Sequence, residues 1–134
     1  MAFRHELRVR YGECDPQGIV FNANYLAFID VAFTELWRLQ IGPWMQMTER
    51  GYDAVLADAR LGFKAPGRFD DVLAIVLRVE RLGRASIHTQ ARIERGEELL
   101  LEAELRHVVV STETWRSVEM PDWIRSGLAP VAQD

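Results

Sequence analysis

Residues able to do chemistry gather in one early stretch, YGECDPQGIVFNANY, from Tyr11 to Tyr25. An acid, a proline and two glycines stand there just ahead of a long apolar segment. The four residues DPQG fit a type I turn, with Asp15 first, Pro16 second and Gly18 fourth. On that pattern alone a plain turn is the better reading. The context adds a second one, because the turn delivers Asp15 just before a helix expected to begin near Asn22. N–H groups in a first helical turn lack intrahelical acceptors and carry the positive end of the macrodipole. Such donors can polarise a carbonyl oxygen or hold a developing oxyanion. A carboxylate on one side and amide donors on the other suit hydrolysis of an activated acyl group.

The elements that must position these groups are legible from periodicity. In FRHELRVRY, Phe3, His5, Leu7, Val9 and Tyr11 share one parity and the charges the other, which predicts a half-buried strand. ANYLAFIDVAFTELWRLQI, residues 23–41, is free of Gly and Pro and predicts a helix of about five turns. Its apolar residues Tyr25, Phe28, Ile29, Ala32, Phe33, Leu36 and Leu39 form a broad face that Leu26, Val31 and Trp37 extend, so the helix should be covered on most sides. Gly42 and Pro43 end it. WMQMTERG allows one short further turn. Four runs with period-2 polarity follow: one places Val55, Ala57, Ala59, Leu61 and Phe63 inward, and the others centre on Leu73–Val79, Ile87–Ile93 and Leu101–Val109. APGRFDD, RLGR and RGEE separate them as turns. A helical turn is expected around Trp123. A sheet with one apolar face curled around a greasy helix buries both, and the unpaired sheet edges favour an oligomer.

Composition narrows the function. A chain of 134 residues is the size of one domain. The net charge of -4 argues against nucleic-acid binding, which calls for a basic excess. Cys14 is the only cysteine, which rules out an internal disulfide and a cysteine metal site. MAFRHELRVR lacks the apolar stretch of a signal sequence, and no run of about 18 apolar residues exists to span a membrane, so the expected location is the cytoplasm. His5, His88 and His107 fall on separate strands and read as structural, and no carboxylate–histidine cluster has metal-ligand spacing. Nucleophile-elbow and phosphate-loop motifs are absent. Cys14 reads as a buried thiol, and Glu13 as a solvated charge in preference to a second carboxylate that perturbs Asp15.

YGECDPQGIVFNANYLAFIDVAFTELW resembles the signature of the 4-hydroxybenzoyl-CoA thioesterase family of hot-dog-fold enzymes. The shared pattern is aromatic-Gly-acid-x-Asp-x-x-Gly-Ile-Val-aromatic, then Asn-Tyr and a helix. A weaker likeness continues through FKAPGRFDDVLAIVLRV, LGRASIHTQARI, a late valine-rich strand and the proline after WRSVEM. The resemblance implies an α+β hot-dog fold over residues 1–134, a long central helix wrapped by a curved antiparallel sheet of about five strands. It implies hydrolysis of acyl-CoA thioesters with no metal or other cofactor, coenzyme A being part of the substrate. Asp15 falls at the catalytic carboxylate, as nucleophile or as general base. Asn22 matches the position whose backbone N–H meets the thioester carbonyl, and Gly18 the loop glycine. Ile19, Val20, Phe21 and Tyr25 would line the substrate. Lys64, Arg68 and Arg84 are candidates for the phosphates of coenzyme A, Arg84 foremost because it sits beside Gly83 and Ser86. A homodimer with sites at its interface, or a tetramer built from two dimers, is implied. Glu13 and Cys14 stand where Asp and Thr are common, and Asn22 replaces a frequent His or aromatic. Two other functions stay open: a non-catalytic acyl-CoA-binding module, and a hot-dog dehydratase, which would call for an Asp/His pair that is not seen locally.

Overall fold

The computed structural model describes residues 2–132. In chain order they form β1 (Phe3–Arg8), a single 3-10 turn (Tyr11–Glu13), α1 (Ala23–Gln40), α2 (Trp44–Glu49), β2 (Tyr52–Phe63), β3 (Val72–Leu82), β4 (Ser86–Arg95), β5 (Glu98–Ser111), α3 (Asp122–Leu128) and a last 3-10 turn (Ala129–Val131). The strands make one antiparallel sheet in the order β1-β3-β4-β5-β2. Its two edges, β1 and β2, are consecutive in sequence, so α1 and α2 carry the chain from one edge to the other. The mixed α+β layout expected from the element order is the one observed.

Helix α1 supplies the apolar surface that covers the sheet. Tyr25, Phe28, Ile29, Ala32, Phe33, Leu36 and Trp37 are buried. They join one core with Leu73, Ile75, Leu77 and Val79 of β3, Ile87, Ala91 and Ile93 of β4, and Leu101, Leu105 and Val109 of β5. Burying a large aliphatic or aromatic side chain is worth about 1.5–3 kcal/mol, so the helix and the sheet hold each other through these rows. Coverage is narrower than the composition of the helix implies. Val31 is 47% exposed and Leu39 70% exposed, so α1 is one-sided within the chain.

Two local findings depart from simple alternation. Tyr11 belongs to the 3-10 turn and is 80% exposed, not the last inward residue of β1. In β2 the register against β5 shifts between Leu56 and Asp58. Ala54 lies opposite Val109 and Leu56 opposite His107, whereas beyond the shift Ala59 meets Leu105 and Leu61 meets Ala103. Ala57 is the extra residue of a bulge, which moves the inward set by one position. Val55 and Ala57 were therefore placed on the wrong parity; Ala59, Leu61 and Phe63 lie opposite inward residues of β5, but only Leu61 packs against the core, and Ala59 and Phe63 stay exposed.

The C-terminal segment is more helical than expected. α3 packs close to the end of α1: a Cβ on Gly127 would lie 2.7 Å from Ile41 Cγ1 and 3.0 Å from the Gln40 carbonyl. Gln40 donates its side-chain amide to the Gly127 carbonyl at 3.0 Å, and the Arg50 guanidinium sits 3.9 Å from the centre of the Trp123 ring. Among the described residues no helix is long and apolar enough to cross a membrane.

Candidate active site

Residues 10–25 fold back on themselves. The Gly18 N–H donates to the Asp15 carbonyl at 2.8 Å, closing the turn, and Gly18 takes a φ of +79°, where a side chain would be strained. Asp15 N–H donates to the Ile19 carbonyl at 2.9 Å and Phe21 N–H to the Glu13 carbonyl at 3.0 Å, so the turn is the tip of a short antiparallel ladder in which Cys14 faces Val20. The side chain of Asp15 divides its work. Oδ1 accepts the Gln17 N–H at 2.8 Å, and no protein donor reaches Oδ2 among the described residues.

The ladder leads directly into α1. Asn22 has helical dihedrals and makes no side-chain cap. Among the described residues no acceptor takes the N–H of Asn22 or of Ala23, whereas Asn24 N–H already reaches the Phe21 carbonyl at 2.8 Å. Two open donors thus stand at the start of an 18-residue helix, where the macrodipole adds positive potential.

Two cavities flank these groups, one reaching Ile19 and the other the preceding residue, Gly18. One, about 300 Å³, is lined by Ile19, Val20, Asn22, Tyr25, Phe63, Lys64, Ala65 and Pro66. The other, about 390 Å³, is lined by Asp15, Gly18, Cys14, Pro16, Tyr11 and Phe69, the last two stacked edge to face at 5.7 Å. The structure therefore brings Ile19, Val20, Asn22, Tyr25 and Lys64 together and sets Asp15 and Gly18 on the neighbouring wall. Phe21 is 49% exposed and lines neither cavity. Arg68 and Arg84 are exposed and also stand outside both. The backbone N–H of Arg68 is held by Asp71 at 2.8 Å, and the Arg84 carbonyl accepts Met120 N–H at 2.8 Å.

Tyr25 does more than line a wall. It is buried, and its hydroxyl accepts the Gly67 N–H at 2.9 Å while the Gly67 carbonyl accepts Val20 N–H at 2.9 Å. The segment between β2 and β3 is thereby stitched to the turn. Asp71 and the Pro66 carbonyl are in turn gripped by Arg95, at 2.6 and 3.3 Å.

Glu13 is neither solvated nor aimed at Asp15. Its carboxylate accepts Arg10 N–H at 2.7 Å and the Arg10 guanidinium at 2.8 and 3.1 Å. Burial pushes that carboxyl upward, but the hydrogen bonds and charge of Arg10 outweigh it and hold it below the usual range. The residue that sequence reasoning passed over is Asn24, whose side-chain N–H donates to the Glu13 carbonyl at 2.9 Å. Its signal was present as the Asn of the Asn-Tyr pair opening the helix. Cys14 is a half-buried free thiol. No cluster of three or more His, Cys, Asp or Glu residues that could hold a metal ion occurs among the described residues.

A third cavity, about 270 Å³, opens farther along α1, lined by Asp30, Phe33, Thr34, Trp44, Ala54, Leu56 and His107. His107 is buried and stacks flat on Phe33, ring centres 4.1 Å apart, and its Nδ1 has no partner. Burial lowers its pKa to about 4 and raises that of the Asp30 carboxyl.

Residues 17–102 match the family model of the thioesterase superfamily; Asp15 lies just outside the matched stretch. The chain is 31% identical over 109 residues to the acyl-CoA thioester hydrolase YbgC of Escherichia coli O157:H7, covering 81% of each. It is 28% identical over 124 residues to the 4-hydroxybenzoyl-CoA thioesterase of Pseudomonas sp. strain CBS-3, covering 85% of this chain and 88% of that one. Among solved structures it is similar to the hypothetical protein TT1821 of Thermus thermophilus, with a TM-score of 0.92, 25% identity and full coverage of both chains.

Proposed function

Because this chain belongs to the thioesterase superfamily and is a hot-dog-fold thioester hydrolase, we propose that it hydrolyses an acyl-CoA to the free acid and coenzyme A, with Asp15 as the catalytic carboxylate. The relatives named for acyl-CoA and 4-hydroxybenzoyl-CoA hydrolysis support the substrate class. One observation carries the assignment of the residues. Asp15 keeps one carboxylate oxygen on its own turn and leaves the other open, on a loop that runs into two unpaired helix N–H donors.

The thioester would lie across the Gly18–Ile19 junction, its carbonyl oxygen taking the Asn22 or Ala23 N–H. Donors held in place before the reaction stabilise the negative charge that builds on that oxygen. The free oxygen of Asp15 then acts in one of two ways. It attacks the carbonyl carbon, expelling the thiolate of coenzyme A and leaving a mixed anhydride that water cleaves. Alternatively it takes a proton from a water that attacks the same carbon. Either route ends in acid and thiol, and label found in the Asp15 carboxylate after a single turnover in heavy-oxygen water identifies the first, with water attacking the aspartyl carbon of the anhydride. Lys64, the cation on the amide-side cavity, is the residue we favour for a coenzyme A phosphate, ahead of Arg68 and Arg84. We further propose a homodimer, alone or paired into a tetramer. The exposed Leu56 and Phe63 on the edge strand β2 support it.

Thiol release over a panel of acyl-CoAs tests the reading. Asp15→Asn should lower kcat by at least about a hundredfold, the scale expected for an acid–base or nucleophilic group, with an unchanged far-UV spectrum. A folded Asp15→Asn that works at the wild-type rate on the best substrate overturns it.

A further inference from the structure

We infer that Asn24 is a positioning residue for this reaction, holding the loop that bears Asp15 in register with the open donors of α1. The inference rests on the role proposed for Asp15. The Glu13 carbonyl is a double acceptor, taking Phe21 N–H at 3.0 Å and the Asn24 side-chain N–H at 2.9 Å. The first bond belongs to the ladder of the turn. The second ties that ladder to the first turn of the helix. Without it, no hydrogen bond among the described residues ties the helix to the 11–15 limb: the Tyr25 hydroxyl acts on the opposite side, through Gly67. Asn24 is partly buried, and its own backbone N–H is spent on the Phe21 carbonyl at 2.8 Å, so both of its donors fasten the same junction. Two groups that must meet one carbonyl carbon are sensitive to small displacements. A misplacement of about 1 Å can cost on the order of a hundredfold in rate.

Stability and positioning can be separated by the choice of variant. Asn24→Asp keeps the size of the side chain but removes the N–H donor and sets a carboxylate against a carbonyl. A negative charge in the first turn of a helix is favourable to the helix itself and offsets part of the loss of the bond to the Glu13 carbonyl, so Asn24→Asp should stay folded with only a small fall in melting temperature. Its kcat should nevertheless fall at least tenfold, with KM within about twofold, because the lost contact orients rather than binds. Asn24→Ala controls for the new charge near Asp15 and should show the same split between kcat and KM. Asn24→Asp should also recover toward the wild-type rate as pH falls and its carboxyl regains an O–H donor, whereas Asn24→Ala should not. Asp15→Asn is run beside them with the same substrate. If Asp15→Asn is inactive and either folded Asn24 variant keeps kcat within twofold of wild type, the inference about Asn24 is wrong and the reading of Asp15 stands. A loss of kcat that only follows a fall in melting temperature, and is recovered on cooling, assigns Asn24 a purely structural role and also overturns it. An active Asp15→Asn removes the reading on which the inference depends.

Discussion

His107 should make this protein lose stability in mild acid, and the size of the loss can be worked from its surroundings. The ring is 4% exposed, lies flat on Phe33 and has no partner for Nδ1. Protonating it would put a charge on a ring almost wholly withdrawn from water, with no acceptor for Nδ1, and burial accordingly lowers its pKa to about 4. In the unfolded chain the same ring titrates near 6.5. Between those two values the unfolded state binds the proton and the folded state does not. Linkage then fixes the sign: stability is highest above the unfolded value, declines as pH falls through about 6.5, and levels off once pH passes below about 4. At about 1.4 kcal/mol per pH unit, the full span is worth on the order of 3 kcal/mol.

Urea unfolding followed by fluorescence at pH 7.5, 6, 5 and 4 would measure it, comparing wild type with His107→Gln and His107→Leu, neither of which titrates. Both variants will differ from wild type in absolute stability, so the quantity to compare is the slope. Wild type should lose on the order of 2–3 kcal/mol more than either variant between pH 7.5 and pH 4. His88, whose pKa is also lowered by burial and by Arg81 and Arg106, is common to all three proteins and drops out of the difference. Asp30, which lines the same cavity, has a carboxyl raised by burial. Its contribution has the opposite sign, since a raised carboxyl stabilises the fold as pH falls. Repeating the comparison in an Asp30→Asn background separates the two. Parallel slopes in wild type and both variants would refute the argument.

Other perturbations follow from single contacts. Tyr25→Phe removes the acceptor of the buried Gly67 N–H, so chemical denaturation should show a loss of about 1–3 kcal/mol, the cost of an unsatisfied buried donor. Gly127→Ala puts a methyl 2.7 Å from Ile41 Cγ1; it should destabilise by about 1–3 kcal/mol through overpacking, and limited proteolysis should cut first near α3.

The long helix, the strand order of apolar and polar positions in β3, β4 and β5, and the turn at DPQG were all readable, because each rests on a local period or a local turn rule. The misplaced half of β2 was not. A bulge at Ala57 is a choice made by pairing with β5, and a single strand carries no record of its partner's register. Coverage of α1 was overestimated for a similar reason: Val31 and Leu39 add to the apolar count of the helix, but only position relative to the sheet decides which residues are buried. Glu13 looked like surface charge because loops are usually wet, and the arginine that closes on it stands three residues away in a bend that composition does not reveal. Asn24 was hidden by its type. An asparagine at the start of a helix reads as capping, whereas here it reaches backward to a carbonyl of the preceding limb.

Those outcomes bear on the two readings of Asp15 with which the sequence began, a plain turn or a reactive carboxylate. They are not exclusive, and the geometry shows why. A carboxylate has two oxygens, and an Asx-type bond to Gln17 N–H occupies one of them. That bond fixes the side-chain rotamer and so aims the second oxygen, which a freely rotating aspartate on a loop could not do. The proline and glycine that make DPQG an ordinary turn therefore also hold in place the atom we propose to be reactive. Gly18, at a φ of +79°, sends the chain straight back past Ile19 and Val20 into the helix, whose open N–H groups begin only four residues later. On the role proposed for Asp15, a turn sequence so plain would serve catalysis because its bonds are spent on orientation, leaving one unpaired oxygen and two unpaired hydrogens for the chemistry.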